Sequence, residues 1–303
     1  MIRSSLLCVI ALVGAVTTAC AAAGSNAGGG IVVTTNILGD VVRNVVGGAA
    51  GVRVLMKPNA DPHSFGVSAR DAAAMSSADL IVYNGLGLEE NVIRNVDSAA
   101  DAGVPVLSVG DHVGPIGYAV GDSAGAPDPH FWTDPQRMIK AVDAVEKAVI
   151  RDADGIDSAA VSRNAENYRA QLRELDSGMS RRFAEIAPQR RKLVTNHHVL
   201  GYLAQRFGFT VIGAVVPSGT TLAAPSPSDL QSLTGAIESA GVPAIFVDSS
   251  QPEKLARVLA EQAGVDVRIV ELYTESLSPP GTPGATYLDM MRANTDSIVT
   301  GLR

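Results

Sequence analysis

The chain is 303 residues long, 46% hydrophobic and 18% charged, with 24 basic against 31 acidic side chains and a net charge of −7. That balance excludes a largely disordered chain, leaves core material for about two domains, and argues against binding to phosphate backbones. Aromatics at 4%, with a single Trp, supply no stacking platform for bases or sugars, so nucleic acid is not an expected partner.

In chain order, the first segment is a sorting signal. Arg3 and the α-amine form a positive end, Leu6 to Val16 is apolar, and Thr17-Thr18-Ala19 precedes Cys20. The apolar run is too short to span a bilayer core, which needs ~20 residues. A Cys directly after small residues resembles a bacterial lipobox, although Thr17 stands where Leu is commonest. Residues 1–19 are therefore expected to be a signal peptide, and residues 20–30 a lipidated Cys20 followed by a flexible tether. The tether reaches about 17 Å by random-coil scaling. An ordinary signal peptide cut before Gly30 is the alternative. Cys8 leaves with the signal in either case, so neither a Cys-based zinc site nor a disulfide is available to the mature protein.

From Ile31 onward, short β-branched runs alternate with helical periods. Strands are expected at Ile31 to Thr35, Val52 to Met56, Leu80 to Tyr83 and Val104 to Ser108, and again near Lys192 to Thr195, Thr210 to Val215, Ala244 to Val247 and Val267 to Glu271. The stripe Ile37, Leu38, Val41, Val42, Val45 and Val46, closed by Gly47-Gly48, predicts a helix. Further helices are expected near Ser228 to Ala240, Pro252 to Ala263 and Ala285 to Leu302. Between the halves the strands stop. Pro135 after Asp134 opens one helix to about Val149, and a second runs from Ser158 to Ile186. The fold class is α/β: two lobes, each a mainly parallel sheet flanked by helices, joined by one long rigid helix. The lobes are assigned to residues 31–150 and 189–303 and the linking helix to 151–188. A stiff connector disfavours large lobe closure. The Pro/Ser/Ala region Val216 to Asp229 reads as an exposed loop ending in a helix N-cap.

Five histidines are present: His63, His112, His130, His197 and His198. Asp61-Pro62-His63 and Asp128-Pro129-His130 repeat one triplet, each after strand-like sequence and before a helix start. That position places the imidazoles at strand ends, where open α/β sheets bind ligands, and each Asp can cap the turn or orient its His. His197-His198 follows another strand, and adjacent residues leaving a strand diverge, so one of the two faces the same centre. His112 reads as a surface residue. No HExxH, GxSxG or P-loop is present, so no catalytic residue is assigned and the chain does not read as an enzyme.

These motifs resemble the cluster A-I substrate-binding proteins of bacterial ABC transporters for zinc and manganese. The resemblance runs from Ile31 to the C-terminus. It rests on Thr34-Thr35-Asn36-Ile37-Leu38-Gly39-Asp40, the two Asp-Pro-His triplets, Tyr83-Asn84-Gly85-Leu86-Gly87-Leu88-Glu89 and Phe131-Trp132. It continues through Thr195-Asn196-His197-His198 with Gly201-Tyr202, Leu272-Tyr273-Thr274-Glu275-Ser276-Leu277 and Tyr287-Leu288-Asp289-Met290-Met291. It implies a metal held by His63 and His130 from the first lobe and His197 from the second, with His198 where relatives often carry another residue. The fourth ligand in the family is an Asp; this chain has Glu275, with Asp248 at another strand end, or water, as the alternative.

Three imidazoles and a carboxylate suit tetrahedral Zn2+, whereas Mn2+ prefers more oxygen donors. Zn2+ is the expected transported ligand, with Mn2+ possible; the loop Val113 to Pro127 carries no His and favours neither. The resemblance further implies an extracytoplasmic, membrane-anchored lipoprotein, a permease partner and a monomer. Affinity is expected to fall below the ordinary imidazole pKa of about 6.5. Release is expected to move a loop, either Val216 to Asp229 or the Glu275 segment. Two rival readings are a surface adhesin or partner-binding lipoprotein with Mn2+ or a structural metal, which would retain its metal under chelation, and a zinc hydrolase, which would keep a coordination position open for water.

Overall fold

The computed structural model describes residues 30–119, 123–251, 257–258, 261 and 267–303. Cys8, Cys20 and most of the tether, and most of the helix expected over Pro252 to Ala263, lie outside the described residues. Eight strands form two sheets. The first contains β1 (Ile31–Val33), β2 (Val52–Val54), β3 (Leu80–Tyr83) and β4 (Val106–Ser108), in the order β2-β1-β3-β4. The second contains β5 (Lys192–Thr195), β6 (Thr210–Ala214), β7 (Ala244–Asp248) and β8 (Arg268–Leu272), in the equivalent order β6-β5-β7-β8. Every pairing is parallel.

Eight α-helices are described: α1 (Asn36–Val46), α2 (Ala69–Ser76), α3 (Ile93–Asp101), α4 (Pro135–Asp152), α5 (Ser158–Phe183), α6 (Gly201–Phe207), α7 (Pro227–Ala240) and α8 (Tyr287–Leu302). Their starts are written in the sequence. Asp134 accepts from the Gln136 N–H at 2.8 Å with Pro135 in the first turn, and Asp157 accepts from the Ala160 N–H at 3.0 Å to open α5. Ser226 and Asp229 form a reciprocal capping box at the start of α7. The expected ends move by a few residues: α4 continues to Asp152, and α5 stops at Phe183 rather than Ile186. With 26 residues, α5 is about 39 Å long.

The sheet faces divide by the two-residue period. Ile31, Val33, Leu80 and Val82 face one way, while Val32 and Ile81 face the other with Met75 and Val96 of α2 and α3. The inward faces of both sheets do not enclose separate cores. Val33 and Val82 of the first sheet, Val142 of α4, Leu172 and Met179 of α5, Leu193 and Phe246 of the second sheet and Ile298 of α8 belong to one continuous apolar cluster. Thus α5 is packed along its length rather than free-standing, and this shared core holds the lobes in one relative position. No helix among the described residues is long and apolar enough to cross a membrane.

Leu172→Ala removes a fully buried side chain of α5 and is expected to cost about 2–5 kcal/mol. Because the core is continuous, denaturant unfolding followed by the fluorescence of the single Trp132 and by far-ultraviolet circular dichroism should coincide in one transition in both parent and variant.

Candidate metal centre

All four side chains expected to meet do so, and each arrives from beyond the carboxyl end of a strand. His63 lies after β2, His130 in the connection from β4 to α4, His197 directly after β5, and Glu275 after β8. One nitrogen or oxygen from each lies within 4.8 Å of the others, and all four residues are buried. His63 Nε2 is 3.4 Å from His130 Nε2; Glu275 Oε1 is 3.0 Å from His197 Nε2 and 3.5 Å from His130 Nε2; and Glu275 Oε2 is 3.9 Å from His63 Nε2. Four donors about 2.0–2.1 Å from a central ion sit about 3.3–3.4 Å apart on a tetrahedron, so the observed edges bracket the spacing that one ion requires.

The polar accounting points the same way. Among the described residues, seven buried side-chain atoms lack a hydrogen-bond partner, and five belong to this group: His63 Nδ1, His197 Nδ1 and Nε2, and both oxygens of Glu275. His197 Nε2 approaches Glu275 at ion-pair distance but without hydrogen-bond geometry. Unpartnered buried acceptors of this kind are costly, and a cation satisfies several at once.

The two Asp-Pro-His triplets share one turn and differ in what the Asp holds besides. Asp128 Oδ1 accepts from the His130 backbone N–H at 2.9 Å and lies 2.8 Å from His130 Nδ1. It thereby fixes the Nδ1–H tautomer and leaves the Nε2 lone pair toward the other ligands. Asp61 Oδ1 likewise accepts from the His63 N–H at 2.9 Å, but Asp61 Oδ2 accepts from Thr221 Oγ1 at 2.5 Å and Gln251 Nε2 at 2.9 Å, both from the other half of the chain. Gly201 is needed beside Asp128: a Cβ there would come within 2.7 Å of Asp128 Oδ2.

Asp248, the alternative fourth ligand, is occupied elsewhere. Its Oδ2 accepts from the Thr274 N–H at 2.8 Å, Thr274 Oγ1 at 2.5 Å and the Glu275 N–H at 3.0 Å, while Oδ1 accepts from the Ser250 N–H at 2.8 Å. It therefore shapes the turn that presents Glu275. That turn is further pinned to the first lobe: the Trp132 indole donates to Thr274 O at 2.8 Å, Asn36 Nδ2 donates to Ser276 Oγ at 2.7 Å, and Asn36 Oδ1 accepts from the Leu277 N–H at 2.9 Å. Of the remaining histidines, His112 is exposed and lines an outer cleft of about 530 Å³ with Tyr83, Lys140 and Lys147. His198 is buried against Tyr118, with ring centroids 6.4 Å apart. Tyr118 itself was not anticipated: its hydroxyl lies 3.4 Å from His130 Nδ1 and donates to Gly219 O at 3.1 Å. It stands in the His-free loop Val113 to Pro127, and its one sequence signal is a lone aromatic among small residues.

Burial controls the electrostatics. Desolvation, followed by the neighbouring His130 and His197, lowers His63 to a pKa of about 2, and desolvation lowers His197 as well. Desolvation also raises Glu275 to about 8; His130 opposes that shift, and Asp248, Asp61 and Asp128 reinforce it. The expectation that ordinary imidazole titration near pH 6.5 governs binding is therefore corrected for His63 and His197. Burial thus favours neutral rings at His63 and His197 and the protonated carboxyl at Glu275.

A parallel-sheet pair sharing a helical core, with three imidazoles and a carboxylate converging between the sheets, defines a metal-binding receptor of the kind that serves ABC transporters. The chain belongs to the ZnuA family, described as zinc-uptake complex component A, periplasmic, whose model matches residues 31–301. It is a solute-binding receptor of this transporter class and not an enzyme. It is 29% identical over 268 residues to the manganese-binding lipoprotein MntA of Halalkalibacterium halodurans, covering 88% of this chain and 86% of that protein. It is 30% identical over 273 residues to the zinc-binding protein TroA of Treponema pallidum, covering 89% and 87%. The iron-binding protein YfeA of Yersinia pestis is 27% identical over 268 residues, covering 88% and 84%. The solved structure of TroA superposes with a TM-score of 0.82, covering 90% of this chain and 98% of that one.

Asp248→Ala strands the buried Thr274 and Glu275 N–H groups and is expected to cost about 2–4 kcal/mol in denaturant unfolding. One metal per chain should still load, because Asp248 is not among the converging donors, with affinity lowered through the Glu275 turn that it holds.

Proposed function

We propose that this chain is the extracytoplasmic receptor of an ABC importer, that its cargo is Zn2+, and that His63, His130, His197 and Glu275 hold the ion until it passes to the permease. In this reading residues 31–150 and 189–303 are the two lobes, 151–188 link them, and Cys20 carries the lipid that anchors a monomer through the tether at 20–30. The observation that carries the proposal is the buried group of four converging donors, in which both Glu275 oxygens, both His197 nitrogens and His63 Nδ1 have no hydrogen-bond partner.

Zn2+ is favoured because three neutral imidazoles and one carboxylate suit a closed tetrahedral site, and nitrogen-rich sites bind it more tightly than Mn2+. The names of the relatives span manganese, zinc and iron. One feature supports Mn2+ as a second reading: both Glu275 oxygens are unpartnered, so the carboxylate can chelate and raise the coordination number. Glu275 stands where the family carries a shorter Asp, in a turn whose backbone Asp248 and Asn36 hold.

Competitive titration of the metal-stripped soluble protein is expected to give tight one-to-one Zn2+ binding that displaces Mn2+. Glu275→Ala should weaken it by tenfold or more, in keeping with the ~1.5–3 kcal/mol that contacts to a charged group contribute. Mn2+ retained against equimolar Zn2+ would reassign the cargo. Saturating metal at about 1,000 times Kd should stabilise the fold by about 4 kcal/mol, read as a raised Tm.

The pH dependence follows from Glu275. Its carboxyl, raised to about 8, is mostly protonated in the metal-free protein at neutral pH, so binding releases its proton and affinity increases with pH. Zn2+ affinity in chelator competition should rise about fivefold from pH 7 to 8 and about tenfold from pH 7 to 9, then level off. A carboxyl of ordinary pKa would leave affinity flat above pH 7.

A further inference from the structure

The segments that surround the ligands differ sharply in how they are held. Thr274, Glu275, Ser276, Leu277 and Ser278 are all buried and bonded to both halves. The loop between β6 and α7 has no buried residue from Val216 to Ser226, although it crosses the same site. Its links to the first lobe are polar and few: Tyr118 donates to Gly219 O at 3.1 Å, Gly219 N–H donates to Ser123 Oγ at 3.1 Å, and Thr221 Oγ1 donates to Asp61 Oδ2 at 2.5 Å. Segments held by hydrogen bonds rather than by packing open at low free energy. Two of these links end on groups that touch metal-ligand residues, since Tyr118 abuts His130 Nδ1 and Asp61 caps the His63 backbone. The seat is close: a Cβ at Gly219 would overlap the Tyr118 ring.

We propose that Tyr118 and Asp61 are positioning residues that set the lifetime of the bound metal, by latching the Val216 to Ser226 loop of the second lobe onto the ligand-bearing loops of the first. The inference rests on the metal-receptor reading. With the shared core fixing the lobes, this loop is the element that can lift without exposing apolar surface. When it does, His130 loses the Tyr118 contact and the Asp61 turn loses its Thr221 anchor. The ion then dissociates stepwise past a surface that solvent can reach. The Glu275 turn stays in place and serves as the last point of attachment.

The experiment is stopped-flow removal of Zn2+ from the loaded protein by excess chelator, with association measured separately at low metal. Tyr118→Phe and Thr221→Val each delete one hydroxyl and should raise the dissociation rate by about five- to tenfold, leaving association within about twofold and the Tm of the metal-free protein nearly unchanged. Thr221→Ser, which keeps the hydroxyl, should restore the parent rate. Gly219→Ala, which displaces the loop from Tyr118 while leaving both hydroxyls in place, should speed release as well. Parent-like dissociation in Tyr118→Phe and Thr221→Val, with one-to-one loading intact, would overturn the latch while sparing the receptor assignment. Failure of the parent chain to load Zn2+ or Mn2+ stoichiometrically would overturn both.

Discussion

The arrangement depends on an electrostatic demand buried where the two lobes meet. Three imidazoles and a carboxylate are withdrawn from water and aimed at one another, with almost none of their site-facing atoms paired. Desolvation shifts proton equilibria there in opposite directions, His63 and His197 toward neutrality and Glu275 toward protonation. A protein tolerates such a group only if the rest of the fold over-determines it, and here it does. Asp128 and Asp61 fix the turns of His130 and His63, Asp248 and Asn36 fix the turn of Glu275, and the continuous core holds their supporting sheets in register. A divalent cation resolves the conflict by satisfying the lone pairs that no hydrogen bond reaches.

The first lobe and the second solve the same geometric problem with the same strand order, and this explains why the four converging side chains could come from distant parts of the chain. In each sheet the parallel strands point their carboxyl ends toward the gap between lobes, so loops that follow β2, β4, β5 and β8 converge there. Identical Asp-Pro-His turns then acquire separate tasks by position. Near His130 the Asp carboxylate is close enough to hold the ring; near His63 the second oxygen turns outward and joins the lobes.

Much of this was legible in the residues. The strands and the long α5 could be placed because β-branched runs and caps such as Asp134-Pro135 and Asp157 are local signals. His63 and His130 stood out because histidine is scarce in this chain and both sit in a repeated triplet, whereas His197 and Glu275 were singled out by the family resemblance. What could not be read is the part that arises from tertiary packing. The union of two lobes into one core depends on which face of α5 meets which sheet, and the amphipathic period of a helix does not name its partner. The displacement of the proton equilibrium onto Glu275 depends on depth of burial. Asp248 stood as the alternative to Glu275 because it ends a strand, and only the donors gathered around its two oxygens give it a different task. Tyr118 carried no motif at all.

The fusion of the lobes through α4, α5 and α8 has a consequence for how a loaded receptor can be told from an empty one. A molecule whose halves share a core keeps nearly the same outline whether or not an ion is present, so neither its radius of gyration nor the separation of its outer surfaces can carry the message. Whatever reads this receptor must do so at the loops around the gap, where Val216 to Ser226 reaches the surface while the turn at Thr274 to Ser278 stays buried beneath.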